Sequence, residues 1–300
     1  MWSSDKENIL MEPFHYLEAL PGKELRSQFM HAFNTWLQVP GQSLSVIMRV
    51  VGMLHTASLL IDDIQDNSRL RRGAPVAHDV FGTAQTINSA NYVYFCALRD
   101  LSILGNAELI QIYTEELLNL HRGQGMDIFW RDTSTCPTEP DYIQMVSNKT
   151  GGLFRLAVKL MCAESRRVQD VARYVRLANS IGVLFQVLDD YRNLTDGLYT
   201  QKKGLCEDLS EGKFSFPIIY AIQSEPSSSF LLDILRQRTN EDAIKRDAVS
   251  YIERRGSFLY TRTVLRGLKE DIIRLVDEVD AGEGKSADLK CVLEKLVSDV

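Results

Sequence analysis

Apolar residues recur at helical spacing along almost the whole of this 300-residue chain, and the alternating pattern of a half-buried strand is scarce. That periodicity restricts the fold to an all-α one before any other feature is weighed. Helices are predicted over residues 7–20, 25–38, 42–68, 86–104, 106–130, 139–163 and 167–195, and again over 214–223, 229–236, 241–254, 257–279 and 286–298. Gly and Pro mark the breaks, at Pro21-Gly22, Pro40-Gly41, Gly73-Ala74-Pro75 and from Cys136-Pro137 to Pro140. Thr138 with Asp141 three residues on has the form of a capping box, and Pro140 falls in the first turn, so a helix is predicted to begin there. No internal repeat, low-complexity tract or linker interrupts the pattern. Residues 1–300 read as a single domain of about a dozen helices.

Two short acidic clusters end two of the apolar runs. Asp62-Asp63-Ile64-Gln65-Asp66 follows Ala57-Ser58-Leu59-Leu60-Ile61, and Asp189-Asp190-Tyr191-Arg192-Asn193 follows Ile181 through Leu188. On a helix Asp62 and Asp66 share a face one turn apart, as do Asp189 and Asn193. Carboxylates so spaced repel each other, and against apolar neighbours their charge is costly unless a cation offsets it. One acidic pair on a helix is ordinarily a solvated face. Two such clusters, each closing an apolar run and each accompanied by basic residues, point to a metal–diphosphate site with a wall from each helix. Mg²⁺ suits these oxygen donors, because it keeps several waters and shares itself with substrate phosphates.

Diphosphate also calls for cationic side chains. Lys23 and Arg26 fall on one face near a predicted helix start, where free amides favour anions. Arg69-Leu70-Arg71-Arg72-Gly73 follows the first acidic cluster, and a guanidinium fork matches phosphate oxygens. Residues 196–213 follow the second cluster, hold three lysines and three glycines, and read as a long functional loop of the lid type.

Composition narrows the partners. A net charge of −6 leaves no basic surplus to neutralise a phosphate backbone, so no nucleic-acid partner is expected. The five cysteines, Cys96, Cys136, Cys162, Cys206 and Cys291, are scattered without a CxxC pair and read as free thiols of a reducing compartment. The chain opens on no apolar signal region, ends on no prenylation cysteine, and has no uninterrupted apolar stretch near the ~18–20 residues of a membrane span. A cytoplasmic protein without a membrane span is the expectation.

The ordered set of motifs resembles the trans-isoprenyl diphosphate synthases, and within them the eukaryotic geranylgeranyl diphosphate synthases. It runs from Pro21-Gly22-Lys23 with Arg26, through His55 to Asp66, Arg71-Arg72-Gly73-Ala74-Pro75-Val76-Ala77-His78 and Ile87 to Tyr92. It continues through Gly123-Gln124-Gly125-Met126-Asp127, Lys149 to Phe154, Phe185-Gln186 with Asp189-Asp190-Tyr191, and Glu211 to Pro217. The resemblance implies a single large helical bundle of the isoprenoid synthase type I fold with a central cavity. It implies condensation of isopentenyl diphosphate with allylic diphosphates, up to farnesyl diphosphate, to give geranylgeranyl diphosphate. The cofactor implied is Mg²⁺, three ions per active site, and the assembly a homo-oligomer, a dimer or an assembly of dimers, with the helices carrying Ile87–Leu104 and Leu109–Trp130 as interface elements.

Carried over residue by residue, the resemblance places Mg²⁺ on Asp62 and Asp66, with Asp63 nearby, and on Asp189 with Asp190. Arg71, Lys149, Lys203 and Lys213 would assist with the allylic diphosphate, and Lys23, Arg26, His55 and Arg72 would hold isopentenyl diphosphate. Gln186 and the polar atoms of Lys149 and Thr150 would face the forming carbocation. The small residues Ala57 and Ser58 would leave the product tunnel open below the first cluster, with Tyr94, Phe95 and His121 at its floor. Asn193 stands where the general pattern has a third Asp. A terpene cyclase is disfavoured by the form of the second cluster. A catalytically silent subunit, the prenyltransferase part of a bifunctional terpene synthase and a twenty-five-carbon synthase stay open as alternatives.

Overall fold

Three helices of this protein start on short polar side chains. Ser3 Oγ accepts the Lys6 amide at 3.4 Å, Thr138 Oγ1 accepts that of Asp141 at 3.2 Å, and Asp170 Oδ1 accepts that of Ala172 at 3.1 Å, each satisfying an amide that the first turn leaves without a partner. The computed structural model describes residues 2–22, 25–167, 170–196 and 205–297, and among these there are fifteen helices and one two-stranded hairpin. The expected all-α class is the observed one.

The chain divides into two compact units, one of residues 1–114 with 159–168 and the other of 115–158 with 169–300. In the first lie α1 (Ser4–Ala19), α2 (Leu25–Leu37), α3 (Gly41–Gln65), the strands β1 (Leu70–Arg71) and β2 (Ala74–Pro75), α4 (Ala77–Phe81) and α5 (Thr83–Ser102). Helices α1, α3 and α5 pack on one another around Phe14, Leu17, Ala57, Leu60, Ala90 and Val93. By length and mean hydropathy α3 could cross a membrane, unlike the expectation drawn from uninterrupted apolar runs. Within its unit it is a core helix: it buries Val46, Ile47, Val50, Leu54, Ala57 and Leu60, and Arg49 on its outer side pairs with Asp100 at 2.9 Å.

Two further helices, α6 (Ala107–Thr133) and α8 (Gly151–Glu164), contribute residues to both units. The second unit holds α7 (Glu139–Lys149), α9 (Val171–Thr195), α10 (Glu207–Glu211), α11 (Phe216–Ser224), α12 (Phe230–Gln237), α13 (Asp242–Arg254), α14 (Ser257–Asp280) and α15 (Ala287–Leu296). The apolar body of α9 is its centre, packed against α14, α7 and α11.

The short helices α4 and α10 lie where no helix was predicted, and two further local features differ from the sequence prediction. The helix expected over 139–163 is broken at Thr150 into α7 and α8. There the Ser147 carbonyl accepts the Arg155 guanidinium, a side chain inserted into the backbone ladder, and two glycines follow. The segment expected as a plain break after the first cluster instead closes a hairpin, with Leu70 opposite Pro75 and Arg71 opposite Ala74. Its two turn residues, Arg72 and Gly73, have φ of 56° and 82°, as a tight hairpin of right-handed twist requires.

Candidate active site

The residues singled out by sequence fall into two groups, one in each unit. In the first unit the cluster closes α3. Asp62 and Asp66 are half-buried and one turn apart, with the Asp66 amide bonded to the Asp62 carbonyl at 2.8 Å. Asp63 points the other way and is 1 % exposed. Arg71 holds it, through Nε at 2.7 Å and through Nη2, and reaches Asp62 at 3.4 Å. Burial raises the Asp63 carboxyl above the usual carboxylate range while Arg71 opposes the rise. The doublet therefore splits its duties: Asp62 keeps access to solvent, and Asp63 orients the guanidinium.

Arg72 is set by the hairpin turn. A left-handed backbone costs a residue with a Cβ about 1 kcal/mol. In return its guanidinium reaches the last carbonyls of α1, Leu17 O at 3.2 Å and Leu20 O at 2.8 Å, where the helix dipole favours a cation. The same guanidinium lies over Gly22, so close that a Cβ there would fall 3.2 Å from Arg72 Cζ. His55, two turns before Asp62, is desolvated and surrounded by Arg26, Arg72 and Arg71. Burial first and these charges second push its pKa well below 6.5, against the pull of Asp62.

In the second unit the break between α7 and α8 is clamped at close range. A Cβ on Gly182 of α9 would lie 2.6 Å from Gly151 Cα, and one on Gly123 of α6 would lie 2.8 Å from Lys149 Cα. Glycine is what lets both helices approach. The clamp presents Thr150, whose Oγ1 donates to Gln186 Oε1 at 2.6 Å, and Gln186 Nε2 in turn donates to Asp190 Oδ1 at 2.8 Å. Asp190 is 1 % exposed and also accepts from Tyr142 Oη, from Lys213 Nζ at 3.2 Å and from the Phe216 amide at 2.8 Å.

Burial alone would lower the Lys213 pKa, but Asp190 and Asp208 hold it well above its ordinary value. Burial and the adjacent Asp190 charge push the Tyr142 hydroxyl well above 10. Lys149 pairs with Asp127 at 2.7 Å, and one small pocket is lined by Asp127, Tyr142, Lys149, Thr150, Gln186 and Lys213 together with Met145 and Val146. Asp189, beside the buried Asp190, is half-buried like Asp62.

Several expectations are revised by this geometry. Asp63 and Asp190 are interior anchors with cationic partners rather than exposed oxygen donors, because burial of a carboxylate requires such partners. Lys213 is likewise committed to Asp190 and Asp208 rather than open to a ligand. Phe95 is 71 % exposed: the face of α5 that buries Ala90, Val93 and Ala97 turns it outward, so it closes no tunnel within the chain. His121 lies on an exposed face of α6, its Nδ1 2.8 Å from Leu117 O. Tyr94 does pack against the core cluster that includes Ala57, and burial with the Asp62 charge raises its pKa to about 12. Ala57 is fully buried, whereas Ser58 is exposed and donates to the His55 carbonyl at 2.9 Å. Asn193 accepts the Asp208 amide at 3.2 Å and so ties α9 to the start of α10. Lys23, Lys203 and residues 197–204 of the expected lid lie outside the described residues.

Sequence reasoning placed Asp127 in a motif without giving it a role, and it passed over Tyr142. A signal for Asp127 was present, an acidic residue one turn after a helix-interior glycine. Tyr142 carried none. Among the described residues no group of three His, Cys, Asp or Glu side chains is gathered to hold a metal. Solvent-reaching single carboxylates such as Asp62, Asp66 and Asp189 fit an ion that takes most of its ligands from water and phosphate, as Mg²⁺ does.

Comparison with known proteins identifies the family. The Polyprenyl synthetase family profile matches residues 7–252. Geranylgeranyl pyrophosphate synthase 1 of Zymoseptoria tritici is 65 % identical over 99 % of this chain and 89 % of its own. Geranylgeranyl pyrophosphate synthase of Hypoxylon pulicicidum is 61 % identical over 99 % of this chain and 76 % of its own. Copalyl diphosphate synthase of Talaromyces verruculosus is 57 % identical over 93 % of this chain but only 29 % of its own length. The chain belongs to the polyprenyl synthetase family, the trans-isoprenyl diphosphate synthases.

Proposed function

We propose that this chain condenses isopentenyl diphosphate with allylic diphosphates, up to farnesyl diphosphate, to give geranylgeranyl diphosphate. The family and the names of the relatives at 65 % and 61 % identity support the reaction. The observation that carries it within the site is the relay Thr150–Gln186–Asp190, of fixed polarity, in a pocket with two lysines.

Asp62, Asp66 and Asp189 are the carboxylates assigned to Mg²⁺, with about three ions to a site. When bound, Mg²⁺ supplies Lewis-acid stabilisation to the diphosphate oxygens as the allylic C–O bond breaks. Arg71, aimed by Asp63, and Lys149 add fixed positive charge for the same oxygens without reorganising during the step. Arg26, His55 and Arg72, with Lys23, are assigned to isopentenyl diphosphate. Lys203 keeps its assignment to the allylic diphosphate, and Lys213 is read as support for Asp190. Thr150 gives its hydrogen to Gln186, which leaves its oxygen lone pairs for the allylic cation. The isopentenyl double bond attacks that cation, a proton is lost, and the departed diphosphate accepts it, so no protein carboxylate is required as a base. Water must be excluded while the cation exists.

Asp62→Ala tests the assignment: turnover is expected to fall by at least about 10³-fold with the fold retained, and near-normal activity would contradict it. The identity to a copalyl diphosphate synthase over 29 % of that protein supports a second reading, in which such a domain serves as the prenyltransferase part of a bifunctional synthase. Homo-oligomer formation is read from apolar side chains left exposed on two helices, Ile87 and Phe95 on α5, and Leu118, Met126 and Phe129 on α6. Sedimentation analysis decides it. A cytosolic location is read from the unbridged cysteines.

A further inference from the structure

Asp127 has no part in the reaction as set out above, yet it is placed with care. It follows Gly123 by one turn on α6, so both residues share a helix face. The backbone of Lys149 lies directly against Gly123, closer than any Cβ would allow. That approach delivers the Lys149 ammonium to Asp127 at 2.7 Å, in an ion pair whose side chains are only 22 % and 12 % exposed. Both line the pocket that holds Thr150 and Gln186, and the charge of Asp127 is felt at Lys213 as well. Lys213 is committed to Asp190 and Asp208.

We propose that Asp127 is the resident counter-anion of Lys149, holding its ammonium in the pocket between turnovers and competing for it with the diphosphate of substrate and product. The inference rests on the reading of the chain as a prenyl diphosphate synthase and deepens it. A charge-assisted bond to Asp127 must be given up or shared whenever a diphosphate takes Lys149, so the carboxylate weakens diphosphate binding and hastens its departure. Asp127 is thus a positioning residue whose effect is greatest on release of the anionic product.

Calorimetric titration of inorganic diphosphate with Mg²⁺ into the wild-type chain and its variants tests this. Asp127→Asn is expected to lower Kd about tenfold, because the pocket gains one net positive charge, and Asp127→Glu to keep it near wild type. In a Lys149→Met background, Asp127→Asn is expected to change Kd by less than about twofold. Unchanged or weaker binding in folded Asp127→Asn would overturn the proposal. Equal tightening with and without Lys149 would also overturn it, since the carboxylate would then act on the pocket at large. If the amide variant does not fold, Asp127→Ser takes its place with the same expectation. A wild-type chain that forms no prenyl product brings down the functional reading itself. An active wild type with no tightening in Asp127→Asn brings down this inference alone.

Discussion

Thr150 donates its hydroxyl hydrogen to Gln186 at 2.6 Å, and the direction of that bond is set one turn further along α9. Asp190 is a carboxylate and can only accept, so the Gln186 amide nitrogen must face it and the Gln186 oxygen must face Thr150. An acceptor-only group in the interior thereby orients a hydroxyl at the pocket. Tyr142, Lys213 and the Phe216 amide hold that carboxylate from its other sides.

Asp190→Asn tests this polarity. An amide both donates and accepts, so Gln186 is free to turn over and Thr150 no longer has a fixed direction. The expected result is a loss in kcat of about 10²-fold, the size of removing one oriented dipole, with a small change in KM. Because Lys213 also loses one of its two charged partners and keeps only Asp208, a loss of about 3 kcal/mol in unfolding free energy should accompany it. Full kcat in a folded variant would contradict the relay.

Enlarging the small residues of α3 tests the proposed control of product length. Ser58→Phe, at an exposed position, should leave stability within about 0.5 kcal/mol and shift the product to shorter chains. Ala57 is fully enclosed, so Ala57→Phe should destabilise the protein by about 1–3 kcal/mol through overpacking. Chain-length analysis of the products together with denaturant unfolding separates the two effects.

His55 makes stability depend on pH in a stated direction. Its folded pKa lies well below 6.5, because it is buried and ringed by Arg26, Arg72 and Arg71. Below 6.5 the unfolded chain therefore binds a proton that the folded chain refuses, and the contribution present at higher pH is lost on acidification. Thermal unfolding of His55→Gln should show a shallower fall in Tm below pH 6.5 than the wild type; an unchanged slope would count against the assignment.

The helix break that presents Thr150 depends on a buried ion pair. Arg155 meets Glu116 at 2.9 Å and also bonds the Ser147 carbonyl and Asn179 Oδ1. Arg155→Met takes the guanidinium away from the buried Glu116 carboxylate, and should cost about 3–5 kcal/mol in unfolding free energy. Arg155→Met with Glu116→Gln should recover part of that loss, and denaturant titration of both measures the difference.

What the sequence made legible was periodic or punctuated. The capping box at Thr138, the long helices and both acidic clusters follow from local rules, and the structure has the cap and the helices in place. The burial of one member of each Asp doublet did not show, because it depends on packing that supplies Asp63 with Arg71 and Asp190 with Lys213. The break at Thr150 was hidden for a related reason: it depends on Arg155 returning to Ser147 and on glycines approached from α6 and α9, contacts that no local window contains. Phe95 was misplaced because aromatic content was read without the phase of α5, which Ala90, Val93 and Ala97 fix.

The most direct test of the central claim is incubation of the purified chain with isopentenyl diphosphate, Mg²⁺ and each of the five-, ten- and fifteen-carbon allylic diphosphates, followed by chain-length analysis. A dominant twenty-carbon diphosphate is the predicted result. Folded protein that yields no prenyl diphosphate from any of the three starters would contradict it.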